Sequence, residues 1–386
     1  MVSKYEKKAR DEKISRAVIG NKTTKSLKES KAFITDLLEL RKSTKLKTTY
    51  VTGTRRAIEN NGYDKVYFDF RFDGTVTGRL SCGGATKGRK NSDKMGVSFH
   101  TLPQTDEDYE TDLVSRNIRS QFVAPSGWSF LAGDYSQMEL RVLAVLANEG
   151  SMKKAFLDGR DIHTSTASLI FGVSENQVTK KQRNIAKTVN FLIVYGGGEY
   201  NLSETAGITM VEAENVFVKY RENFPKVFSY MEIIKKRVMQ DEYVTTLFGR
   251  RRHLPNVRSN NKKVVAQAVR QANNFTVQSP ASDVMLCAID GVCEDIENKS
   301  LLSRVVATVH DSVEIISPFS TTIQTLELMR KQMMNPPALE DLGIEFDVPL
   351  VVDLEVGASF GDLMDVEFDD SGKVSNEEEI MEYLGA

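Results

Sequence analysis

The chain has 386 residues, 40% of them hydrophobic and 27% charged, which suffices for two or three packed subdomains of a globular protein. No apolar run reaches the roughly 18 residues that a membrane span needs, and three cysteines without a CxxC pair argue against a disulfide framework, so we expect a cytoplasmic protein with no membrane partner. The net charge of −2 conceals a basic stretch at residues 1–49 and an acidic one at residues 365–386. The basic stretch could neutralise backbone phosphates, and we interpret the acidic tail as a solvated, disordered extension. The alternative for both stretches is ordinary solvated surface.

The first third of the chain mixes predicted helices and strands. A helical pattern runs from Lys31 to about Thr49 and is followed, after a break at Asn60–Gly62, by an alternating segment at Lys65–Phe72 that indicates a strand. Residues 83–98 are rich in Gly, Lys and Ser, as in an exposed loop. Trp128–Gly133 is a short apolar run typical of a buried strand.

Helical spacing dominates the middle of the chain. We expect helices at residues 137–157, 175–195, 210–222, 226–240 and, after a basic turn at Phe248–Pro255, from about 261 to 290. Val305–Val309 and Val313–Ile316 are β-branched runs around a polar tip, which indicates a hairpin. Strands at both ends with helices between them predict an α+β fold in which a helical block is inserted into a sheet domain.

Two acidic residues lie at the ends of predicted buried strands. Asp134 follows the run WSFLAG, and Asp311 follows the run VVATVH. A carboxylate in such a place is costly unless it is paired or bound to a cation, and oxygen ligands suit a hard divalent ion. Either residue alone could simply cap a turn, but two carboxylates on neighbouring strands can hold a pair of metal ions for an in-line displacement.

Two sets of side chains recur every four residues on predicted helices. Arg183, Lys187, Phe191 and Tyr195 share one face, and such a face could hold a triphosphate at one end and stack a base at the other, although an amphipathic helix with snorkelling cations has the same pattern. Arg270, Asn274 and Gln278 form the second set, which suits contacts with minor-groove acceptors or is an ordinary polar helix face.

Three segments resemble the polymerase motifs of family A (DNA polymerase I type) DNA polymerases, in order and at suitable separations: DYSQMELR at 134–141, RNIAKTVNFLIVYG at 183–196 and VHDS at 309–312. Thr77–Ser81 is similar to the family's TGRLS segment, and residues 246–261 and 270–285 resemble further signatures. The similarity runs from about residue 38 to residue 363, and motifs of this length rarely recur by chance.

The resemblance implies a right-hand polymerase fold with an antiparallel palm sheet and helical fingers, and an enzyme that performs template-directed DNA synthesis in a bacterial or phage-infected cell. It implies the following divisions: basic N-terminus and thumb remnant over 1–49, first part of the palm over 50–140, fingers over 141–274, second part of the palm over 275–364, and acidic tail over 365–386. Primer-template DNA and deoxynucleoside triphosphates are the implied partners.

The resemblance also assigns roles to residues around the reaction. Asp134 and Asp311 would bind two Mg²⁺ ions, and Arg183, Lys187 and His163 would contact the incoming triphosphate. Lys187 is the candidate general acid for pyrophosphate release.

Phe191 and Tyr195 would face the nascent base pair, while Gln137 and Glu139 would line the sugar, with Glu139 excluding a 2′-hydroxyl. Phe191 in place of a tyrosine predicts discrimination against dideoxynucleotides, because no phenol hydroxyl is present to replace the missing 3′-hydroxyl interaction. The residues expected to track primer and template are Arg79, Arg270, Asn274, Gln278 and, near the primer terminus, His310.

The sequence departs from the family pattern in three places. Ser312 stands where the family usually has Glu, so a third carboxylate is lost or passes to Glu314, and we favour a loss with modest effect. Residues 83–98 insert an unusual loop, and His100–Pro103 replaces the common stretch that follows it. Because residues 37–50 resemble the end of the thumb, we expect most of the thumb to be missing and a second polypeptide to carry thumb and exonuclease, as in a split phage polymerase; a trimmed chain is the alternative.

Two other functions compete with this interpretation. A single-subunit RNA polymerase shares the architecture, but Glu139 and Phe191 argue against it because a ribonucleotide polymerase must leave space for the 2′-hydroxyl. A non-catalytic DNA-binding replisome subunit is the alternative from another class. The intact set of Asp134, Asp311, Arg183 and Lys187 argues against it.

Overall fold

A computed structural model describes residues 24–62, 64–84, 96–103, 118–309 and 311–385. Its described residues fall into two compact units. The smaller unit contains those up to Asp69 together with those between Gly83 and Ser98, and the larger contains Phe70–Cys82 and those from Phe99 onward.

The smaller unit is mainly helical. Helix α1 (Thr24–Lys45) continues through a π-helical turn at Leu46–Val51 into α2 (Thr52–Asn61). Gly62 adopts a left-handed conformation with φ of 67° and ends α2, as expected from the break in the sequence pattern. The helical prediction from Lys31 is therefore confirmed, and the helix continues beyond Thr49.

Two short strands carry the chain between the units. β1 (Phe68–Arg71) lies within the predicted strand at Lys65–Phe72. β2 (Ser81–Gly84) takes up the first residues of the predicted loop, of which residues 85–95 lie outside the described part of the chain.

A five-stranded antiparallel sheet forms the base of the larger unit. Its strands are β3 (Trp128–Tyr135), β6 (Arg304–Val309), β7 (Ser312–Pro318), β8 (Val352–Ser359) and β9 (Asp362–Asp365). They lie in the order β6-β7-β3-β8-β9. The predicted strand at Trp128–Gly133 and the predicted hairpin are confirmed, whereas β8 and β9 were not predicted.

The central strand β3 is tightly enclosed. Leu131 is completely buried, and Gly133 has no room for a side chain, since a Cβ there would lie 2.7 Å from Cδ2 of Leu354 and 3.0 Å from Sδ of Met333. Met333 belongs to α11 (Thr322–Met334), which packs on the sheet. Gly133 therefore lets this helix and β8 approach the strand that carries Asp134.

Helices cover the rest of the larger unit. They are α3 (Met138–Ala147), α4 (Gly150–Leu157), α5 (Ile162–Phe171), α6 (Lys180–Val194), α7 (Glu199–Ala206), α8 (Met210–Asn223), α9 (Pro225–Asp241), α10 (Lys262–Asn298) and α12 (Pro337–Asp341). Within the described residues, no helix combines the length and the apolar character that crossing a membrane requires.

The predicted helix at residues 137–157 is in fact two helices. Asn148 takes a left-handed conformation with φ of 49°, and the side chain of Glu149 accepts a hydrogen bond from the Ser151 amide to start α4. The prediction was wrong here because apolar spacing continues across a turn that is set by two local polar residues. The basic turn at Phe248–Pro255 belongs to a hairpin of β4 (Tyr243–Thr245) and β5 (Arg251–His253).

The acidic C-terminal segment is folded, which corrects the prediction of a disordered extension. It forms α13 (Glu377–Leu384), whose Ile380 is completely buried in the main hydrophobic core. Phe368 and Val374 pair across a short bridge and also pack on that core. The prediction from charge composition was wrong because a few well-spaced apolar residues are enough to hold the segment on the core. In addition, the three Glu residues in the first turn of α13 interact favourably with the helix dipole and stabilise the helix.

Replacing Ile380 with alanine should lower the free energy of unfolding by about 2–4 kcal/mol, because a buried aliphatic side chain would be lost. Urea denaturation monitored by circular dichroism measures this change. Glu382→Ala, at an exposed position of the same helix, is the control and should change it by less than about 0.5 kcal/mol. Equal stability of both variants would show that the segment does not pack on the core.

Candidate active site

A cavity of about 360 Å³ in the larger unit brings together most of the residues singled out in the sequence. Its lining comes from the segment between β1 and β2, the turn between β6 and β7, and helices α3, α5 and α6 with their flanking residues. The lining residues are Arg79, Gln137, Met138, Glu139, Leu140, His163, Arg183, Lys187, Phe191, Tyr195 and Asp311.

Helix α6 supplies one wall of this cavity. It starts with a capping box, in which Thr179 and Gln182 satisfy each other's backbone amides, and its apolar face is buried in the core. Arg183, Lys187 and Phe191 lie on the opposite face and line the cavity. The prediction that these residues share one face is confirmed, since the buried side of the helix fixes which side remains open.

Asp161 connects the elements around the cavity. Its carboxylate caps α5 by accepting hydrogen bonds from the amides of His163 (3.4 Å) and Thr164 (3.0 Å). It also accepts from Nε of Arg183 at 2.7 Å and from Nε2 of Gln137 at 3.4 Å. Burial alone would raise the pKa of Asp161, but the hydrogen bonds from Arg183 and Thr164 outweigh it and hold that pKa well below its usual range.

His163, the second residue of α5, lines the cavity as a neutral ring. Its side chain is only 3% exposed. Burial lowers the pKa of His163 to about 4, and the nearby cations Arg183 and Lys187 add to this effect, while Asp161 opposes it. At neutral pH the ring is therefore uncharged and can donate only one hydrogen bond.

Glu139 lies at the centre of a polar network below α6. It is 6% exposed, and its Oε1 accepts hydrogen bonds from Nη2 of Arg79 at 2.9 Å, Nε2 of Gln278 at 3.3 Å and the Tyr195 hydroxyl at 3.5 Å. Burial raises the pKa of Glu139, although Arg79 opposes the shift. Three donors on one oxygen hold this carboxylate in a fixed position.

Asp134 and Asp311 meet at the end of the sheet. The Tyr135 amide donates to the backbone oxygen of Asp311 at 3.1 Å, and Nη2 of Arg79 lies 3.1 Å from Oδ1 of Asp311. Asp134 opens to solvent, yet the surrounding protein atoms and the charge of Asp311 raise its pKa to about 7, with further contributions from Asp353 and Glu355. A pair of carboxylates that repel each other is a suitable binding site for divalent cations.

The two aspartates fit the way in which Mg²⁺ binds to proteins. Among the described residues, no three Asp, Glu, His or Cys side chains converge closely enough to hold a metal ion by themselves. Mg²⁺ typically takes one or two carboxylates and completes its octahedron with waters and substrate phosphates. Asp134 and Asp311 supply that number of carboxylates, and the cavity beside Asp311 can admit phosphates.

Glu314 lies on the same face of the sheet as Asp134 but in a more enclosed environment. It is completely buried on β7, its Oε1 accepts a hydrogen bond from the Ser312 hydroxyl, and burial raises its pKa to about 8. Glu314 does not gather with the aspartates into a group of ligands within the described residues. The loss of the third carboxylate where Ser312 replaces Glu stays a prediction.

The predicted DNA-contacting residues are only partly brought together. Gln278 reaches Glu139, and Arg79 bridges Glu139 and Asp311, so both belong to the cavity network. Arg270 is exposed, and a Cβ at Gly196 would lie 2.7 Å from its Cγ, so the glycine makes room for it. Asn274 is half-buried on α10, and His310 lies outside the described residues.

Sequence reasoning missed two residues that organise the site. Asp161 stands in the segment DIHTSTA, where we singled out only His163, although an Asp before a helix is a recognisable capping signal. Asn190 is completely buried and contacts His163 through a hydrogen bond of 3.0 Å between its Nδ2 and the ring Nδ1. Asn190 lies on the buried, apolar side of α6, where the sequence pattern did not indicate a polar partner.

An antiparallel sheet with two carboxylates at its end, beside a helical block whose cavity carries cationic and aromatic side chains, is the arrangement expected of a right-hand polymerase fold. Comparison with known proteins identifies the family. Residues 2–362 match the family model for DNA polymerase family A, and the chain belongs to that family. The predicted fold is confirmed by this match and by the structural similarity described below.

Bacterial polymerases resemble the chain in sequence. It is 34% identical to the thermostable DNA polymerase I of Thermus filiformis over 348 residues, which is 90% of this chain and 38% of that protein. It is 35% identical to DNA polymerase I of Bacillus subtilis (strain 168) over 327 residues, or 84% of this chain and 34% of that protein. The chain thus spans little more than a third of the length of these relatives.

A solved structure resembles the fold. The POL domain of Pol1 from M. smegmatis, in complex with DNA primer-template and dNTP, superimposes with a TM-score of 0.74 and 29% sequence identity. The match covers 87% of this chain and 55% of that one.

Replacing Glu314 with glutamine should change how stability depends on pH. Because the pKa of Glu314 is about 8 in the folded chain and its ordinary value is 4.5, the folded state holds an extra proton between these values. Stability should therefore fall as pH rises across this window, on the order of 1 kcal/mol per pH unit, and Glu314→Gln should remove that contribution.

Urea denaturation of both proteins at pH 5 and pH 8 measures the effect. The exposed Glu297→Gln provides the matched control and should behave as the unchanged chain. A stability advantage of Glu314→Gln that is the same at both pH values would contradict the raised pKa.

Proposed function

We propose that this chain extends a primer on a DNA template, adding deoxynucleotides to the 3′ end by phosphoryl transfer. The observation that carries the proposal is the cavity in which Arg183, Lys187 and His163 lie opposite Glu139 and Asp311. Phosphoryl transfer requires mainly positioning and neutralisation of charge, and these side chains offer both. The bacterial relatives named DNA polymerase I and the structure with primer-template and dNTP support the same reaction.

Asp134 and Asp311 would hold two Mg²⁺ ions. Bound there, the ions would supply Lewis-acid stabilisation of the charge that develops on the reacting oxygens. The raised pKa of Asp134 supports this role, because burial and the charge of Asp311 both disfavour its ionised form, which a cation would stabilise. Arg79, now paired with Asp311 and Glu139, would turn toward the minor groove of the primer terminus when DNA enters.

Arg183 and Lys187 on α6, which together form a cationic wall of the cavity, would bind the triphosphate. Arg183 is oriented by Asp161, which leaves the rest of its guanidinium free to face phosphate oxygens. Lys187 lies one turn further along α6 and is exposed, so that it can donate a proton to the departing pyrophosphate as general acid. His163 would add an uncharged donor.

The network below α6 would select the sugar. Glu139 is held by Arg79, Tyr195 and Gln278, so it cannot move aside easily to admit a 2′-hydroxyl. Gln137, which has a left-handed backbone conformation with φ of 56°, would line the other side of the sugar. Phe191 would stack on the incoming base.

The remaining proposals concern the DNA and the division of the chain. Gln278, Asn274 and Arg270 lie along α10 and would follow the minor groove, with His310 near the primer terminus. The palm would consist of residues 50–140 and 275–364, and the fingers of residues 141–274. The protein would act in the cytoplasm. A second polypeptide with thumb and exonuclease stays a prediction.

Replacing Asp311 with alanine should reduce primer extension about 100-fold or more, since several kcal/mol of stabilisation of the transition state would be lost. Extension of a labelled primer with Mg²⁺ and deoxynucleotides measures it. Asp341→Ala, at an exposed position, is the matched control and should extend normally. DNA binding without extension by the unchanged chain would favour the non-catalytic alternative.

Replacing Phe191 with tyrosine should raise the use of dideoxynucleotides relative to deoxynucleotides about tenfold, because the added hydroxyl supplies one hydrogen bond that the missing 3′-hydroxyl otherwise provides. Single-turnover kcat/KM ratios for the two nucleotides measure the effect. A ratio that is unchanged, with normal incorporation of deoxynucleotides, would place Phe191 away from the sugar.

A further inference from the structure

His163 and Asn190 form a buried polar pair behind the cationic wall. Nδ2 of Asn190 lies 3.0 Å from Nδ1 of His163 and 3.2 Å from Oγ1 of Thr166. Asn190 and Thr166 are completely buried. The His163 ring packs beside the Phe191 ring, with 5.9 Å between the two ring centroids. Side chains in such a place cannot exchange these hydrogen bonds for bonds to water, so the pair fixes the orientation of the ring.

The bond between Asn190 and His163 has a chemical consequence for the other ring nitrogen. A neutral imidazole carries one proton, on either Nδ1 or Nε2. When Nδ1 accepts the amide hydrogen of Asn190, the proton must be on Nε2. Since His163 lines the cavity and its Nδ1 is engaged by Asn190, Nε2 is the ring nitrogen available to a ligand.

We propose that Asn190 is a positioning residue that sets the tautomer of His163, so that Nε2–H faces the cavity and donates to an oxygen of the bound triphosphate. The inference rests on the proposed function, in which this cavity takes a nucleoside triphosphate. The opposite tautomer would direct a lone pair at a phosphate oxygen and weaken binding. Asn190 thus acts through His163 and has no contact with the nucleotide.

An amide serves this purpose better than a carboxylate would. The charged groups that act on the ring are Asp161 from the start of α5 and Arg183 and Lys187 from α6. Burial and the two cations outweigh Asp161 and lower the pKa of His163 to about 4, so the ring is neutral. A carboxylate in place of Asn190 would accept from Nδ1 instead, which raises the pKa of the ring and, above that pKa, leaves Nε2 without a proton.

The tautomer can be observed directly in the unchanged chain. The sequence has four histidines, so a chain labelled with ¹⁵N-histidine gives a small set of ring signals, and His163→Gln identifies those of His163. We expect the Nε2–H tautomer from pH 6 to pH 9 without titration in that range. A Nδ1–H tautomer, or titration near pH 6.5, would overturn the proposal whether or not the chain is a polymerase.

A kinetic experiment tests the consequence for the nucleotide. In Asn190→Asp, the KM for deoxynucleotides should be close to that of the unchanged chain at pH 6, where the ring is protonated and Nε2–H is present. It should rise about tenfold by pH 9, relative to the unchanged chain, as the neutral ring keeps its proton on Nδ1. Since the effect concerns binding, kcat should change much less than KM.

Two further variants show whether the effect passes through His163. Thr166→Val keeps the bond between Asn190 and His163, so the ratio of its KM to that of the unchanged chain should not depend on pH. The double variant His163→Gln/Asn190→Asp offers an amide donor that does not titrate, so its ratio should also be independent of pH.

The opposite results would overturn the proposal. A pH-dependent KM ratio in the double variant, or no pH dependence of the ratio in Asn190→Asp, would show that Asn190 does not act through the ring. If Asn190→Asp fails to fold by circular dichroism, the ring signals of the unchanged chain decide the question.

Discussion

The crowding of carboxylates around β3 is the constraint on which the rest of the site depends. In the sheet register, Asp134 lies opposite Ser312 on one side and Asp353 on the other, while Ala132 lies opposite Glu314 and Glu355. These residues share one face of the sheet because side chains alternate along a strand. The pKa values of Asp134 and Glu314 rise to about 7 and about 8 since burial and like charges disfavour ionisation.

Among the described residues, three arginines oppose this charge, and one of them, Arg141, acts on Asp353. Arg119 acts on Glu314 and Glu355 and stacks on the Phe360 ring at 4.6 Å, and Arg79 pairs with Asp311. The end of the sheet can therefore take up external cations, and the departure at Ser312 removes one carboxylate from the row nearest to Asp134. Glu314, whose raised pKa keeps it neutral at pH 7, adds little negative charge to that row.

The opposite side of the cavity is built on hydrogen bonds. Asp161 accepts bonds from α5, from Arg183 and from Gln137, so one carboxylate sets the spacing between the sheet side and α6. Its low pKa means that it remains charged throughout the physiological range. Arg183 held in this way would need little reorganisation to bind an anion, which is the condition for strong electrostatic stabilisation.

The sequence by itself determined the family, the α+β class, the open face of α6 and the two strand-end aspartates, because long motifs and the periodicities of helix and strand are local properties. It did not predict β8, whose apolar positions are interrupted by Asp353 and Glu355, or the folded C-terminal helix, in which half of the residues are glutamate. Only the tertiary structure decided that Asp161 joins three elements, that Asn190 engages His163, and that Glu314 is completely buried on the face of the sheet that carries Asp134. Such contacts join residues that are distant in the chain, and their geometry follows from packing and strand register, which a local pattern does not encode.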